Sequence, residues 1–227
     1  MKYTTLLLDV DDTLLDFLRC EENAFLKTCK EYKIEDAQQI YPRYSQINDN
    51  VWKELELGQI ERKEVVVERF RRLFKELNLS YDPAEFNFNY RQNLSSFYFY
   101  IDGAEDFLKQ IKGKFTICAM TNGIKFVQDI RLKESGLCNY FDKIFISEES
   151  GYAKPDRRFF DWAIDRVEEK DRAKILIIGD SLTSDMKGGL NADIDTCWFN
   201  PHNKENYLNL PLTYTVKTYD EILKILL

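Results

Sequence analysis

The sequence predicts an α/β protein, with a parallel sheet covered by helices on both faces and an inserted helical region. Short, almost continuously apolar segments recur along the chain, and amphipathic segments of helical period separate most of them. Apolar strands of this kind are typical of parallel sheets, in which both faces of a strand are buried. The stretch from residue 17 to residue 91 lacks such strands, which favours a helical insertion into an otherwise alternating chain.

The individual elements follow from composition and spacing. Five short segments rich in apolar residues are predicted as strands: TTLLLD (4–9), FTICAM (115–120), KIFIS (143–147), KILIIGD (174–180) and DTCWFN (195–200). Three segments with apolar residues every three or four positions are predicted as helices: 103–112, 124–136 and 155–169. Pro155 suits the first turn of the last helix. Together these elements predict a Rossmann-like sheet.

The helical region is predicted to form a domain of its own. Within GQIERKEVVVERFRRLFKELNL the apolar positions share one helix face: Val66, Phe70, Leu73 and Leu77. We therefore assign residues 17–91 to a helical cap domain and residues 1–16 and 92–227 to the core domain. The cationic side chains of this helix alternate with glutamates, so we expect a solvated face and not a nucleic-acid site: Arg69, Arg71, Arg72 and Lys75.

Composition limits the classes of partner and compartment. The net charge of −7 argues against a polyanion-binding surface, while 16 Phe and 13 Tyr indicate a folded core. Five scattered cysteines without a CxxC pair fit a reducing cytoplasm, and the N-terminal apolar run is too short for a signal peptide or membrane span. The single histidine, His202, excludes multi-histidine zinc sites and is expected in a surface loop. We expect a cytoplasmic protein with no membrane, nucleic-acid polymer or obligate protein partner.

Polar side chains follow four of the predicted strands at their carboxyl ends, where open α/β sheets bind ligands. They comprise Asp9, Asp11, Thr121, Asn122, Lys154, Asp180 and Asp185. Four carboxylates against one lysine require additional positive charge. A hard divalent cation with oxygen ligands, Mg²⁺, answers that requirement and would attract a phosphate. Each residue alone is an ordinary turn former, helix cap or surface side chain; their joint occurrence in order favours catalysis.

These residue types suit phosphoryl transfer. Asp9 is a carboxylate that can attack phosphorus without a separate base, giving an aspartyl phosphate. Asp11, two residues further on, can protonate the leaving alcohol and then take a proton from water. Thr121 and Asn122 begin a turn suited to hold the phosphate, and Lys154 balances its charge. Asp180 and Asp185 are predicted to hold the metal, directly or through water. Asp12 and Asp16 are assigned to turns or caps, and Thr13 to fixing the loop.

The motifs DVDDT (9–13), TNG (121–123), AKPD (153–156) and GDSLTSD (179–185) resemble those of the haloacid dehalogenase superfamily of aspartate-nucleophile phosphatases. The resemblance covers essentially the whole chain, including a helical cap that in the family closes over the active site and contributes to substrate choice. It implies that Asp9 is the nucleophile and Asp11 the acid/base. It also implies that Mg²⁺ is held by Asp9, the main-chain carbonyl of Asp11 and Asp180, with Asp185 assisting.

In finer detail the chain is similar to the noncanonical pyrimidine nucleotidase branch, notably in NDNVWKELELGQIERKEVV and LIIGDSLTSDMKGGLNADIDTCWFNP. That resemblance implies a 5'-nucleotidase for UMP, dUMP and dTMP. A sugar-phosphate phosphatase or phosphomutase on the same frame is the enzymatic alternative, and a phosphate-dependent signalling or binding module is the non-enzymatic one. Dehalogenase members lack the second aspartate, which is present here as Asp11. Phe17, Tyr44 and Trp52 could stack on a base, but aromatic residues at helical spacing are more typical of a core.

Overall fold

The computed structural model describes residues 2–227, with the main chain alone at Glu56 and Arg62, and contains a six-stranded sheet. Every neighbouring pair of strands is parallel, and their order across the sheet is β3-β2-β1-β4-β5-β6. The strands are β1 (Thr5–Leu8), β2 (Thr116–Thr121), β3 (Lys143–Ile146), β4 (Ile175–Gly179), β5 (Asp195–Phe199) and β6 (Tyr214–Val216). The order of a doubly wound sheet, with β1 at its centre, is therefore present.

Helices connect these strands. They are α1 (Phe17–Glu31), α2 (Ala37–Glu56), α3 (Arg62–Leu77), α4 (Pro83–Ser95), α5 (Ala104–Ile111), α6 (Lys125–Glu134), α7 (Ser147–Ser150), α8 (Arg157–Ile164), α9 (Lys187–Asn191) and α10 (Tyr219–Leu226). A π-helical turn, Leu182–Met186, precedes α9. Side chains alternate across the buried strand β1, so Leu6 and Leu8 pack in one apolar cluster and Leu7 in another. The first cluster includes α5 and α10 and the second includes α8, which confirms helices on both faces of the sheet.

The structure confirms the five predicted strands and adds a sixth, β6, and the helix α10. Strand β6 is a three-residue edge strand, too short to give a periodic pattern, and α10 follows it at the end of the chain. The expectation for Pro155 is wrong. Helix α8 begins at Arg157, and Asp156 caps it by accepting a hydrogen bond from the main-chain N–H of Arg158. Asp156 is favoured at this position because its short side chain accepts a hydrogen bond from one of the N–H groups that the first helical turn leaves unpaired.

The chain divides into two compact units, residues 1–17 with 98–227 and residues 18–97. The first unit contains the sheet, and the second contains most of α1 together with α2, α3 and α4. The division expected after residue 91 falls inside α4, because that helix continues to Ser95. The boundary after Phe97 consequently lies in the irregular segment that follows α4, and the boundary after Phe17 lies at the start of α1.

The helical unit has an aromatic core with a buried polar group. Tyr44 is fully buried, and its ring stacks on Phe25 and Phe70 with centroid distances of 4.4 and 5.3 Å. It is thus a core residue. The expectation of a solvated face is wrong for Arg69, which is only 1% exposed. Its guanidinium donates hydrogen bonds to the side-chain oxygens of Asn48 at 2.9 Å and Asn87 at 3.1 Å, which offset the cost of burying the charge.

Two further observations bear on the composition argument. All five cysteines are free thiols, four of them buried, and His202 is exposed. Among residues 2–227 there is no helix whose length and apolar content would let it cross a bilayer.

Candidate active site

The predicted site residues of the sheet lie at the carboxyl ends of its central strands. Asp9 directly follows β1, Thr121 is the last residue of β2 and Asp180 directly follows β4. Because β1 lies between β2 and β4, the three residues end adjacent strands. The chain proceeds from β1 outward in both directions, which makes this edge the topological switch point where such folds bind ligands.

Lys154 joins two of the acidic residues. Its buried ammonium donates hydrogen bonds to Asp9 Oδ1 and Asp185 Oδ1, both at 2.6 Å, and to the main-chain carbonyl of Met120 at 2.7 Å. The side chain is 2% exposed. An ammonium has three N–H donors, and all three are used here. Lys154 therefore acts as a fixed countercharge between the two carboxylates.

The GDSLTSD motif shapes the loop that delivers Asp185. The Ser181 side chain accepts a hydrogen bond from the Ser184 main-chain N–H, and Asp185 Oδ2 accepts one from the Ser181 N–H at 3.1 Å. A Cβ on Gly179 would lie 2.3 Å from that same Asp185 oxygen. Glycine is thus required at the end of β4 by the close approach of the Asp185 carboxylate, and not by an unusual backbone angle.

The acidic cluster is electrostatically incomplete. Burial raises the pKa of Asp9 to about 7; Lys154 opposes this, while Asp185 and Asp11 add to it. Burial also raises the pKa of Asp180 well above its ordinary value, with Asp9 and Asp185 acting in the same direction. Lys154 is itself disfavoured as a cation by burial, but the two carboxylates more than compensate and raise its pKa. Without a metal, Asp9 is therefore less fully ionised at neutral pH than its sequence position predicts.

The donor set fits a hard divalent cation. Asp9, Asp180 and Asp185 each offer a carboxylate oxygen, and these oxygens lie within 4.8 Å of one another. Carboxylate oxygens are the ligands that Mg²⁺ prefers, and a cation among them would favour the ionised form of each. Three carboxylates facing a single ammonium leave an excess of negative charge that a divalent ion offsets. The fourth predicted ligand is the main-chain carbonyl of Asp11, and the Asp11 side chain is not part of this carboxylate cluster.

The TNG turn is tied to the segment that carries Lys154. The Asn122 side chain accepts a hydrogen bond from the Lys154 main-chain N–H at 2.8 Å and donates one to its carbonyl at 2.9 Å. The Thr121 hydroxyl accepts hydrogen bonds from the N–H of Gly123 at 3.0 Å and from Gln128 Nε2 at 2.8 Å. Asn122 thus positions Lys154 through its side chain. A phosphate-binding role for it stays a prediction.

Asp11 is held by two residues that the sequence argument missed. Arg131 Nη1 donates a hydrogen bond to Asp11 Oδ1 at 2.6 Å, and Gln128 Nε2 donates one to Asp11 Oδ2 at 2.8 Å. Both partners are 1% exposed and lie three residues apart on α6. The available signal was a pair of polar residues at helical spacing among the buried positions of an amphipathic helix.

The remaining residues of the first motif shape the loop. The Thr13 hydroxyl donates a hydrogen bond to Asp9 Oδ2 at 3.1 Å. Asp12 has a positive φ of 57°, and its side chain accepts a hydrogen bond from the N–H of Phe17, the first residue of α1. These contacts agree with the expectation that Thr13 fixes the loop and that Asp12 forms a turn or cap.

Comparison with known proteins identifies this arrangement. Residues 3–193 match the family described as haloacid dehalogenase-like hydrolase. The chain belongs to this hydrolase family. The resemblance of its four motifs is thereby confirmed, and so are the α/β core with a helical insertion and its assignment as an enzyme.

Relatives with high coverage show the same membership. YfnB of Bacillus subtilis, named a HAD-hydrolase, is 38% identical over 225 residues, covering 99% of this chain and 96% of YfnB. PynA of Streptococcus pneumoniae, named a pyrimidine 5'-nucleotidase, is 39% identical and covers 98% of this chain and 94% of PynA. YjjG of Escherichia coli, also named a pyrimidine 5'-nucleotidase, is 32% identical, and the match covers 100% of this chain and 99% of YjjG.

One of these relatives has a crystal structure, which is described as bound to magnesium. YfnB aligns with a TM-score of 0.94 over 100% of this chain and 99% of that chain. This hydrolase therefore shares its fold with a family member for which a magnesium complex is described.

Proposed function

We propose that this hydrolase is a Mg²⁺-dependent phosphomonoesterase that acts on pyrimidine nucleoside 5'-monophosphates such as UMP, dUMP and dTMP. The observation that carries the proposal is the buried Asp9 carboxylate at the end of β1, bonded to Lys154 and close to Asp180 and Asp185. A carboxylate so placed is a nucleophile facing a site for a metal and a phosphate. The pyrimidine preference rests on the names of PynA and YjjG.

Asp9, Asp180 and Asp185 would hold the metal, with the main-chain carbonyl of Asp11 as the family resemblance implies. The ion supplies positive charge that draws the phosphate into place and makes its phosphorus more electrophilic. Lys154 bonds to both Asp9 and Asp185, offsets the repulsion between them and stabilises both as anions. Thr121, whose hydroxyl accepts two hydrogen bonds, retains its proton as a donor to a phosphate oxygen.

The reaction is balanced by one proton shuttle. Asp9 forms a bond to phosphorus while the bond from phosphorus to the nucleoside oxygen breaks, and Asp11 gives that oxygen a proton. Water then attacks phosphorus, its proton passes to the Asp11 carboxylate, and the bond to Asp9 breaks with release of inorganic phosphate. Asp9 is thus regenerated, and Asp11 regains the proton that it gave to the nucleoside.

The two units receive separate roles in this proposal. Every catalytic and binding side chain named above belongs to the unit of residues 1–17 and 98–227, which we assign to catalysis. The helical unit, expected from the resemblance to be a cap, is assigned to substrate choice.

The test is a panel of phosphomonoesters assayed for released phosphate, with Mg²⁺ and with EDTA. Fast release from UMP, dUMP and dTMP that EDTA abolishes is the expected result. Faster release from sugar phosphates would favour a sugar-phosphate phosphatase, and an isomerised product would favour a phosphomutase. A stable phosphoprotein that does not turn over would favour a signalling module. The Asp9→Asn variant should fold normally and release no phosphate; near-normal turnover in this variant would overturn the covalent mechanism.

A further inference from the structure

Gln128 and Arg131 form a buried polar pair that no metal-binding or nucleophilic role accounts for. Arg131 Nη1 donates hydrogen bonds both to Asp11 Oδ1 and to the Gln128 side-chain oxygen, the latter at 2.9 Å. Gln128 in turn donates to Asp11 Oδ2 and to the Thr121 hydroxyl, each at 2.8 Å. One turn of α6 thereby links the carboxylate of Asp11 to the hydroxyl at the end of β2.

The buried pair fixes the orientation of the Asp11 carboxylate and leaves part of it accessible. Each of its two oxygens accepts one hydrogen bond from the buried pair, and a carboxylate has about four acceptor positions in all. The Asp11 side chain keeps 24% of its surface exposed, while that of Arg131 is 1% exposed. The carboxylate is therefore held in place and still has acceptor capacity for a proton.

The TNG turn contains a second feature that serves this pair. A Cβ on Gly123 would lie 2.6 Å from both Cγ and Nε2 of Gln128. Its φ is not in the left-handed region, so the glycine is needed for the close approach of Gln128 and not for the shape of the turn. Arg131 is also supported, since its guanidinium carbon lies 5.7 Å from the centroid of the Phe17 ring.

We propose that Arg131 and Gln128 are positioning residues that orient the Asp11 carboxylate to take a proton from the water that hydrolyses the aspartyl phosphate. This inference rests on the proposed function. Water loses its proton to Asp11 as its oxygen bonds to phosphorus, and the bond from phosphorus to Asp9 breaks. A base that must face a water molecule gains from having its orientation set in advance. In this proposal the pair acts through Asp11, to which both residues donate hydrogen bonds.

The test separates the two half-reactions. With p-nitrophenyl phosphate the leaving group departs readily as an anion, so formation of the aspartyl phosphate needs little help from Asp11. In the Mg²⁺-loaded full chain, Arg131→Met and Gln128→Met should keep a burst of about one nitrophenolate per active site and then turn over about 10- to 100-fold more slowly than wild type. Acid-quenched samples should contain accumulated phosphoenzyme. Arg131→Lys should recover part of the lost kcat.

Lys133→Met is the matched control, since it removes a cation from an exposed position of the same helix and should behave as wild type. Combining Asp11→Asn with Arg131→Met should cost no more than Asp11→Asn alone. The inference is overturned if the two losses multiply, if burst and turnover fall together, or if turnover matches the control. A wild-type chain that hydrolyses no phosphomonoester would instead defeat the proposed function itself.

Discussion

Lys154 and Asp185 form a direct ion pair of 2.6 Å in which both side chains are almost completely buried. The same ammonium also bonds to Asp9, so one cation holds two of the three clustered carboxylates together. This relationship explains how the acidic cluster persists before a metal binds, and it makes the site sensitive to loss of a single charge.

Replacing Lys154 with Met should destabilise the protein as well as inactivate it. The substitution leaves Asp9 and Asp185 buried without their cation, and breaking a buried pair in this way typically costs about 3–5 kcal/mol. The measurement is the midpoint of chemical unfolding without Mg²⁺. The control is Lys187→Met, which replaces an exposed lysine directly after the turn that carries Asp185 and should shift the unfolding midpoint little. Equal stability of Lys154→Met and wild type would show that the pair contributes nothing to folding.

Divalent metal should stabilise the wild-type protein against heat. An ion that binds only the folded chain adds about 2.7 kcal/mol at one hundred times its Kd, and each kcal/mol raises Tm by roughly 2–4 °C in a chain of this size. Asp180→Asn removes one of the three clustered carboxylates and should reduce the Mg²⁺-dependent shift in Tm. The exposed Asp220 of α10 offers the control Asp220→Asn, which should keep the full shift. An unchanged shift in Asp180→Asn would remove Asp180 from the ligand set.

Gly179→Ala should impair metal binding through crowding. The new Cβ would lie 2.3 Å from Asp185 Oδ2, so the carboxylate has to move, and overpacking of this kind costs about 1–3 kcal/mol. Gly189→Ala is the matched comparison. Its Cβ would meet Ile177 at 2.5 Å, which predicts lost stability with unchanged metal affinity in the folded protein. Calorimetric titration of both variants with Mg²⁺ distinguishes them, and equal affinities would contradict the crowding argument.

Glu21 in α1 should make stability depend on pH. Asn48 donates a hydrogen bond to its carboxylate at 2.7 Å. Burial raises the pKa of Glu21 from 4.5 to about 8, although Arg69 opposes the shift. The folded chain then holds a proton that the unfolded chain releases near 4.5. This contribution to the free energy of unfolding is complete below pH 4.5 and is lost as the pH rises to about 8, by up to ~1.4 kcal/mol per pH unit.

Glu21→Gln should therefore gain stability relative to wild type as the pH is raised from 5 to 8. Urea unfolding at several pH values measures the difference. Glu22→Gln changes the neighbouring, partly exposed residue and should leave the pH dependence as it is in wild type. If the free energy of unfolding varied with pH in the same way in Glu21→Gln and in wild type, Glu21 would be ionised in the folded state.

The sequence predicted the sheet and the positions of the acidic residues because both follow from local patterns. Buried parallel strands are apolar throughout, and residues at their carboxyl ends must meet at one edge. Strand β6 escaped prediction because three residues carry no periodicity. The burial of Arg69 could not be predicted because its partners Asn48 and Asn87 lie on other helices.

Contacts between distant residues account for what was missed within the site. Arg131 is separated from Asp11 by 120 residues, and the Asn122 side chain bonds to a main chain 32 residues away. Side-chain pairing over such separations depends on the finished fold. The glycines of two motifs illustrate the same point, because Gly123 and Gly179 are required by the approach of Gln128 and Asp185 and not by their own backbone angles.

The reactive aspartate follows the central strand, whose four residues are buried and hydrogen-bonded to neighbours on both sides. Backbone amides in such a strand exchange with solvent deuterium only when the whole unit opens. Thermal inactivation should then coincide with global unfolding, because fraying at the outer strands leaves the anchor of Asp9 intact.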